Sequence, residues 1–311
     1  VPDVKKAFEV MSEAAHWRLL TEPGHPEVWF GNAEIVSNDQ VARDTFCLRM
    51  AAAPIAGVIT PGQFMMVRLP QTHDPLLGRA FALYDVVRND KDQAIGLEIA
   101  YAAVGRMTRR LSTLRPGEKL EIWGPLGNGF PAPFADELIL VAGGIGYTPF
   151  LAVAKEALGV TQYGKTARTG GRCCVVKLLF GVRSKDYVPS DIYRFSESGV
   201  QVVLSSDDGS VGKRGFVSDL LDEELSVPVR GRRVVYCCGP EPMMAKVAEI
   251  CRERSVECLV SLETPMACGL GLCYSCMARI KVNAQDAGWD YRRVCVEGPV
   301  FDARRVVFED S

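Results

Sequence analysis

The tightest constraint on this 311-residue chain lies near its end, where Cys268-Gly-Leu-Gly-Leu-Cys273-Tyr-Ser-Cys276 is followed nineteen residues later by Cys295. Four thiolates spaced this way meet only if a tight loop wraps the first three and a separate segment delivers the fourth. Gly269 and Gly271 allow the positive φ and close backbone approach that such a loop needs. The spacing C-x4-C-x2-C with a distant C is that of plant-type [2Fe–2S] sites. Cys268, Cys273, Cys276 and Cys295 are therefore the candidate cluster ligands. Structural zinc competes, although zinc sites usually carry two C-x2-C-like pairs and this run has one. Four free buried thiols are the other alternative. The remaining cysteines, Cys47, Cys173, Cys174, Cys237, Cys238, Cys251 and Cys258, sit in apolar or helical settings and read as buried, inert thiols.

Eleven cysteines, an odd number in a chain too long to need disulfide staples, point to a reducing compartment, so a cytoplasmic location is expected. The only three histidines, His16, His25 and His73, fall in the first quarter. A site in the C-terminal half must work without histidine, which argues there against His-dependent triads, zinc-hydrolase centres and a Rieske-type cluster. A net charge of −2 gives no broad electrostatic case for nucleic acid or anionic membrane. No run approaches the ~20 apolar residues of a membrane span. Val1 to Leu20 lacks an apolar core with a cleavage site and is not expected to be a signal peptide.

Residues 1–27 read as an N-terminal extension, a helix followed by a Pro/Gly-rich connector. Residues 28–132 look all-β: Trp29–Val36, Thr45–Met50, Phe64–Leu69, Phe81–Val87, Ile95–Ala100 and Lys119–Trp123 are short β-prone runs separated by turn residues. A short helix is expected over Met107–Leu114. Near residue 137 the pattern changes. Glu137–Ala142 is continuously apolar, as in a strand covered on both faces. Val175–Gly181, Val200–Ser205 and Val234–Cys238 alternate with helical segments, among them Phe150–Leu158 and Pro242–Arg254, which argues for a parallel α/β sheet over 133–255. Gly159–Arg172, polar and glycine-rich, reads as a mobile surface loop. Residues 256–311 carry so little periodic apolar sequence that a metal is expected to hold them together.

Three strand-to-helix turns share one topological position. Val141-Ala-Gly143-Gly144-Ile-Gly146-Tyr-Thr148-Pro149 follows a buried strand, where glycines let a pyrophosphate approach the backbone and a helix N-terminus attracts it. Cys238-Gly239-Pro240 and Ser205-Ser-Asp207-Asp208-Gly209 follow other strands. Gly143, Gly144, Gly146, Thr148, Asp207, Gly239 and Pro240 are thus candidate nucleotide contacts, with ligand-free tight turns as the alternative. In the β region, Arg79-Ala80-Phe81-Ala82 and Gly105-Arg-Met107-Thr108 offer a cation and a helix start for phosphate. As isolated strings they are equally a surface arginine and a helix cap.

Taken in order, these motifs resemble the ferredoxin–NADP reductase superfamily, and within it the electron-transfer subunits of two-subunit, NAD-dependent dihydroorotate dehydrogenases. The resemblance runs from about residue 28 to the end and is carried by Gly124-Pro-Leu-Gly-Asn-Gly-Phe130, Val141-Ala-Gly-Gly-Ile-Gly146, Ser261-Leu-Glu-Thr-Pro-Met-Ala-Cys-Gly269 and Cys295-Val-Glu-Gly-Pro-Val-Phe301. It implies a ferredoxin-reductase-like flavin β-barrel (28–132), a parallel α/β nucleotide-binding domain (133–255) and a small C-terminal [2Fe–2S] domain (256–311). It implies FAD, NAD as co-substrate and the cluster. The flavin motifs would fall on Arg79, Ala80, Phe81 and Ala82, on Ala100, Tyr101 and Ala102, and on Met107 and Thr108. Ala82 stands where the family has Ser and Met107 where it has Gly. The lost hydroxyl removes one phosphate hydrogen bond, about 0.5–1.5 kcal/mol.

The implied chemistry is relay. Nicotinamide handles electron pairs, the cluster single electrons, and FAD both; no general acid or base is required of this chain. The implied partner is a catalytic FMN-containing dehydrogenase subunit that oxidises dihydroorotate in pyrimidine synthesis, in a hetero-oligomer expected to be a heterotetramer. The rival enzyme reading is a ferredoxin–NADP reductase-type subunit of another complex, such as a bifurcating one; an Asp ligand would favour it, and this run has four cysteines. A cluster-based sensor is a further rival, but no DNA-reading helix or basic face is evident. Glu263 could lie near the flavin or be a plain surface residue. NAD against NADP is left open, because Arg183, Lys213 and Arg214 could meet a 2′-phosphate or be solvated.

Overall fold

The computed structural model describes residues 28–70, 74–166, 168, 173–282 and 288–308. The expected N-terminal helix and all three histidines lie outside these residues.

Seven antiparallel strands form the first body: β1 (Trp29–Ala42), β2 (Thr45–Ala51), β3 (Phe64–Arg68), β4 (Arg79–Ala82), β5 (Asp85–Arg88), β6 (Ala94–Ala102) and β7 (Lys119–Leu126), in the order β4-β3-β7-β1-β2-β6-β5. The single run expected over Phe81–Val87 is two strands. Between them the Leu83 N–H bonds Gln63 O and the Tyr84 N–H bonds Glu98 O, so two residues carry the chain from one edge of the sheet to the other. This step curls the sheet into a barrel. Alternation on β6 shows the consequence. Leu97, Ile99 and Tyr101 fill the barrel core, while Ala100 packs outward with Cys47, Tyr84 and Tyr147.

The second body is a sheet in the order β11-β10-β9-β8-β12-β13-β16. It comprises β8 (Glu137–Gly143), β9 (Val175–Val182), β10 (Gln201–Ser206), β11 (Lys213–Arg214), β12 (Arg233–Cys238), β13 (Glu257–Ser261) and β16 (Val300–Asp302). All pairs are parallel except β13 with β16. The continuous apolar run of β8 is explained by its two covered faces. Leu138, Leu140 and Ala142 pack beneath helix Phe150–Ala157, and Ile139 and Val141 beneath helices Val217–Ser226 and Glu241–Glu253. Two strands from the segment after residue 255 thus extend this sheet. Between them lie the cysteine loop and a hairpin, β14 (Met277–Lys281) with β15 (Trp289–Arg293).

A buried ionic cluster joins the bodies. Asp85 and Glu98 of the barrel are 4% and 3% exposed. Lys155 Nζ meets Asp85 at 2.5 Å, and Arg194 reaches Asp85 at 3.0 Å and Glu98 at 2.6 Å. Such burial is tolerable because each carboxylate is paired and hydrogen-bonded. Tyr163 donates to Asp85 at 2.7 Å from a fully buried position. The segment expected as a mobile surface loop is anchored at two of its described residues: besides Tyr163, Arg168 pairs with Glu156 and donates to Phe130 O at 2.6 Å. No helix among the described residues is long and apolar enough to cross a membrane.

Candidate functional site

The central strands β8 and β12 are neighbours, and their carboxyl ends open into a cavity of about 750 Å3 between the two bodies. That is where open α/β sheets bind ligands, and the size suits a small-molecule site of roughly 300–1,000 Å3. Of the candidate contacts, Ala102, Gly143, Gly144, Asp207, Gly239 and Pro240 line it. The glycines do different things. Gly144 has φ +53 and faces open space, baring the backbone at the cavity. Gly146 packs: a Cβ there would fall 2.2 Å from the Cys238 carbonyl oxygen. Thr148 is buried behind a single 3-10 turn, Gly144–Tyr147. The helix then begins at Phe150, with Pro149 just ahead of it.

The cavity wall also holds groups that the turn motifs did not single out. Tyr147 lines it, and its hydroxyl is buried without a hydrogen-bond partner among the described residues. A buried hydroxyl left so costs roughly 1–3 kcal/mol, which a ligand acceptor or donor would offset. Glu263, Arg183 and Phe216 line it as well. Burial pushes the Cys238 thiol up to about 12, and the charge of Glu263 adds to the shift, which places that carboxylate beside the Cys238-Gly239 turn. The reading of Cys174 as a buried thiol is corrected, because Cys174 is exposed, while Cys238 is half-buried at this turn with its thiol turned inward. Of the cations considered for a 2′-phosphate, Lys213 is paired with Glu223, while Arg183 is on the cavity rim.

The flavin-motif residues separate by face. Phe81, Tyr101 and Met107 point into the barrel core, with the Tyr101 hydroxyl donating to Asn38 at 2.9 Å. These three positions can offer a cofactor only backbone. Ala80 and Ala82 are half-buried, and Ala80, paired with Met66, packs against the apolar cluster that includes Cys276 and Cys295. Ala100 and Ala102 sit on the outer face of β6, with Ala102 in the cavity wall. Thr108 caps helix Arg106–Leu111, accepting from the Gly105 N–H at 3.0 Å. Arg79 is exposed and donates only to the carbonyls of Leu77 and Gly78, at 3.1 and 2.9 Å, so its charge has no acidic partner among the described residues. Thr264, one residue after Glu263, has a buried hydroxyl without a partner among those residues. An uncompensated guanidinium and small side chains on the outer face fit the phosphate and ring of a dinucleotide flavin. Sequence reasoning missed Thr264 because its signal is burial.

The cysteine loop is pressed onto the barrel. Trp123 Nε1 donates to Cys268 O at 2.8 Å, and a Cβ on Gly269 would fall 2.7 Å from Met66 Cγ. Gly269 and Gly271 take φ +71 and +77, as the loop requires. The four thiols come as two pairs, Cys268 with Cys273 and Cys276 with Cys295, the second pair buried and the first facing outward. Among the described residues no three His, Cys, Asp or Glu side chains gather as a single ion would need. Two pairs suit two irons. Burial pushes the Cys295 thiol up to about 12, with Cys276 adding to the shift. Hydrogen bonds from Ser275 hold the Cys273 thiol down at about 6. The Leu270 N–H already points at Cys268 Sγ, 3.3 Å away. The donor set fits a [2Fe–2S] cluster.

Comparisons with known proteins agree with this geometry. A family model for an oxidoreductase FAD-binding domain matches residues 32–130 and one for an oxidoreductase NAD-binding domain matches 140–249. A third, the iron-sulfur cluster binding domain of dihydroorotate dehydrogenase B, matches 263–307. The dihydroorotate dehydrogenase B (NAD(+)) electron transfer subunit of Desulforamulus reducens is 33% identical over 279 residues, 89% of this chain and 98% of that protein. The subunit of the same name from Clostridium perfringens is 34% identical over 251 residues, covering 80% and 88%. Among solved structures, an NADH-dependent reduced ferredoxin-NADP oxidoreductase studied for flavin-based electron bifurcation shares the fold, with a TM-score of 0.71 at 24% identity over 89% of this chain and 90% of that one. A ferredoxin reductase in carbazole 1,9a-dioxygenase follows at a TM-score of 0.60 and 22% identity, over 74% of this chain and 67% of that one. The chain belongs to the family of dihydroorotate dehydrogenase B electron transfer subunits.

Proposed function

We propose that this chain relays electrons between the flavin of a catalytic dihydroorotate-oxidising subunit and NAD. The observation that carries the reading is adjacency. Ala80 of the flavin strand packs against the apolar cluster that also holds Cys276 and Cys295, and Ala102 of the next flavin segment walls the nucleotide cavity. One flavin on this face would touch both neighbours. FAD, when bound, exchanges electron pairs with nicotinamide and single electrons with an iron–sulfur centre.

The residues then have distinct tasks. Cys268, Cys273, Cys276 and Cys295 hold the cluster. Arg79 neutralises flavin phosphate, and the backbone at Met107 and Thr108 borders the same group. Ala80, Ala82, Ala100 and Ala102 leave room for the ring, with Phe81 and Tyr101 supporting them from the core. Gly143, Gly144, Gly239 and Pro240 give the dinucleotide a bare backbone to approach; Gly146 and Thr148 set that turn, and Asp207 borders the far rim. We divide the chain accordingly into an extension (1–27), a flavin barrel (28–132), a nucleotide domain (133–255) and a cluster domain (256–311) that shares the nucleotide sheet. The partner is taken as an FMN-containing subunit, the assembly as a heterotetramer and the compartment as the cytoplasm.

Co-expression with the catalytic subunit tests this. The expected result is dihydroorotate-dependent NAD reduction by the complex and not by either chain alone, with FMN recovered on the partner. Full NAD-linked activity from the partner without this chain would contradict it.

A further inference from the structure

Donors from three places in the nucleotide body converge on one barrel carboxylate. Asp85 is met by Lys155 from helix Phe150–Ala157, by the Tyr163 hydroxyl, and by Arg194 from helix Tyr193–Glu197. Arg194 reaches furthest. Its Nη2 bridges Asp85 at 3.0 Å and Glu98 at 2.6 Å, its Nη1 lies 3.7 Å from Asp191, and the guanidinium covers the Tyr84 ring at 5.1 Å. Arg49 also pairs with Glu98, so Lys155, Arg194 and Arg49 face Asp85, Glu98 and Asp191 and the charges balance. A buried ionic set of this kind is a weak source of stability; its best-attested use is to fix the register of the parts it joins.

What it registers can be traced from side chain to side chain. Glu98 alternates with Ala100 and Ala102 on the outer face of β6, and Ala102 walls the cavity. Tyr84, beneath the guanidinium, donates to Asp191 at 2.9 Å, and its ring meets the Tyr147 ring edge-on with centroids 5.7 Å apart. Tyr147 closes the Gly144–Tyr147 turn at the same cavity. Arg194 thus grips β6 through Glu98 and the glycine turn through Tyr84 and Tyr147. Two backbone bonds stitch the seam between the bodies, from the Arg43 N–H to Asp186 O at 2.8 Å and from the Ser190 N–H to Val41 O at 2.7 Å. Two bodies of one chain move against each other unless such contacts hold them.

We propose that Arg194 is a positioning residue for hydride transfer, setting the separation between the glycine turn and the outer face of β6. This rests on the reading of that face as the flavin site and of the cavity as the dinucleotide site. In the step itself the reduced nicotinamide loses a hydride, one proton with two electrons, and is oxidised; the flavin takes the hydride and is reduced. Such a transfer needs reacting atoms about 3–3.5 Å apart, and a misplacement of about 1 Å costs on the order of 100-fold. Arginine suits the task because its planar guanidinium holds several carboxylates in fixed directions, whereas a lysine ammonium is a point charge.

The test uses the protein loaded with FAD and iron, under anaerobic conditions. In Arg194→Gln the limiting rate of flavin reduction by NADH falls roughly 10–100-fold. The Kd for NADH, taken from the concentration dependence of that rate, stays at the wild-type value, as do FAD content, iron content and flavin reduction by dithionite. A second readout needs no turnover. The backbone amides of Arg43 and Ser190 exchange with deuterium roughly tenfold faster, because the seam opens more often, while those of the β3–β7 ladder keep their rate. Arg194→Lys keeps a charge without the planar group and shows both changes at smaller size, so the test stands where the glutamine variant fails to fold. An unchanged limiting rate, or unchanged exchange at Arg43 and Ser190, overturns the proposal alone. A fall in rate that tracks lost FAD or a raised Kd also overturns it. Wild-type flavin that NADH does not reduce overturns both the latch and the reading of the two sites beneath it.

Discussion

The cysteine loop and the nucleotide cavity bind by opposite means. The loop recruits side chains: four thiols in 28 residues, two of them buried against Phe64, Met66 and Leu126. The cavity removes side chains. Gly143, Gly144 and Gly239 strip the ends of β8 and β12 down to backbone, and topology rather than chemistry brings those turns together. The difference teaches where a substitution hurts. Deleting a side chain should ruin the first site, and adding one should ruin the second.

The largest effect is expected at the loop. Cys295→Ser removes a ligand from the buried pair. Iron content and visible cluster absorbance should collapse, and electron transfer to the partner should fall by more than the roughly 10–100-fold that an outer-shell change costs. Flavin reduction by NADH should survive. Retained iron with full transfer would break the comparison.

Gly146→Ala sharpens its other half. The added methyl meets the Cys238 backbone carbonyl, which cannot swing aside as a side chain could, so one turn must shift. About 3 kcal/mol of stability should be lost, at the upper end for overpacking, and the KM for NADH should rise while iron content stays. Denaturant unfolding and metal analysis read the two effects separately.

The third case is a control remote from both sites. Burial pushes the Glu137 carboxyl up, but hydrogen bonds from Lys177 and Arg233 outweigh it and hold it below the ordinary carboxylate range. A carboxyl with a lowered folded pKa contributes stability above its unfolded value, and that contribution is lost as pH falls through the folded one. Glu137→Gln should cost about 2 kcal/mol at neutral pH, less than the 3–5 of an isolated buried pair, because Lys177 and Arg233 keep Glu224. The wild type's advantage should shrink below about pH 4. An advantage independent of pH would remove the carboxylate from the account.

Tyr101→Phe should have the smallest effect. It deletes the hydroxyl bonded to Asn38, worth about 1 kcal/mol. Flavin content should not change, since that ring faces the core. A loss of FAD would return Tyr101's side chain to the cofactor site.

The same contrast decides what could be read from the sequence. Cys268, Cys273, Cys276 and Cys295 were legible because their spacing is the site. The strands of both bodies were largely legible from apolar alternation and runs, with β8 found almost to the residue. The split of Phe81–Val87 was not, because barrel closure at Leu83 and Tyr84 depends on hydrogen bonds to Gln63 and Glu98, far apart in the chain. Nor were Tyr147, Phe216 and Thr264, whose interest lies in an orphaned hydroxyl or an exposed ring, neither of which a local string records. The sharing of the nucleotide sheet by β13 and β16 was hidden because cysteine and glycine dominate the segment between them.

The most direct measurement is an anaerobic NADH titration of the isolated chain, followed by absorbance and by the paramagnetic signal of the reduced cluster. The account predicts that NADH bleaches the flavin and the cluster together and raises a [2Fe–2S] signal at one per chain. A protein that binds NADH but reduces its flavin alone, leaving an intact cluster oxidised, would contradict the adjacency on which the relay rests.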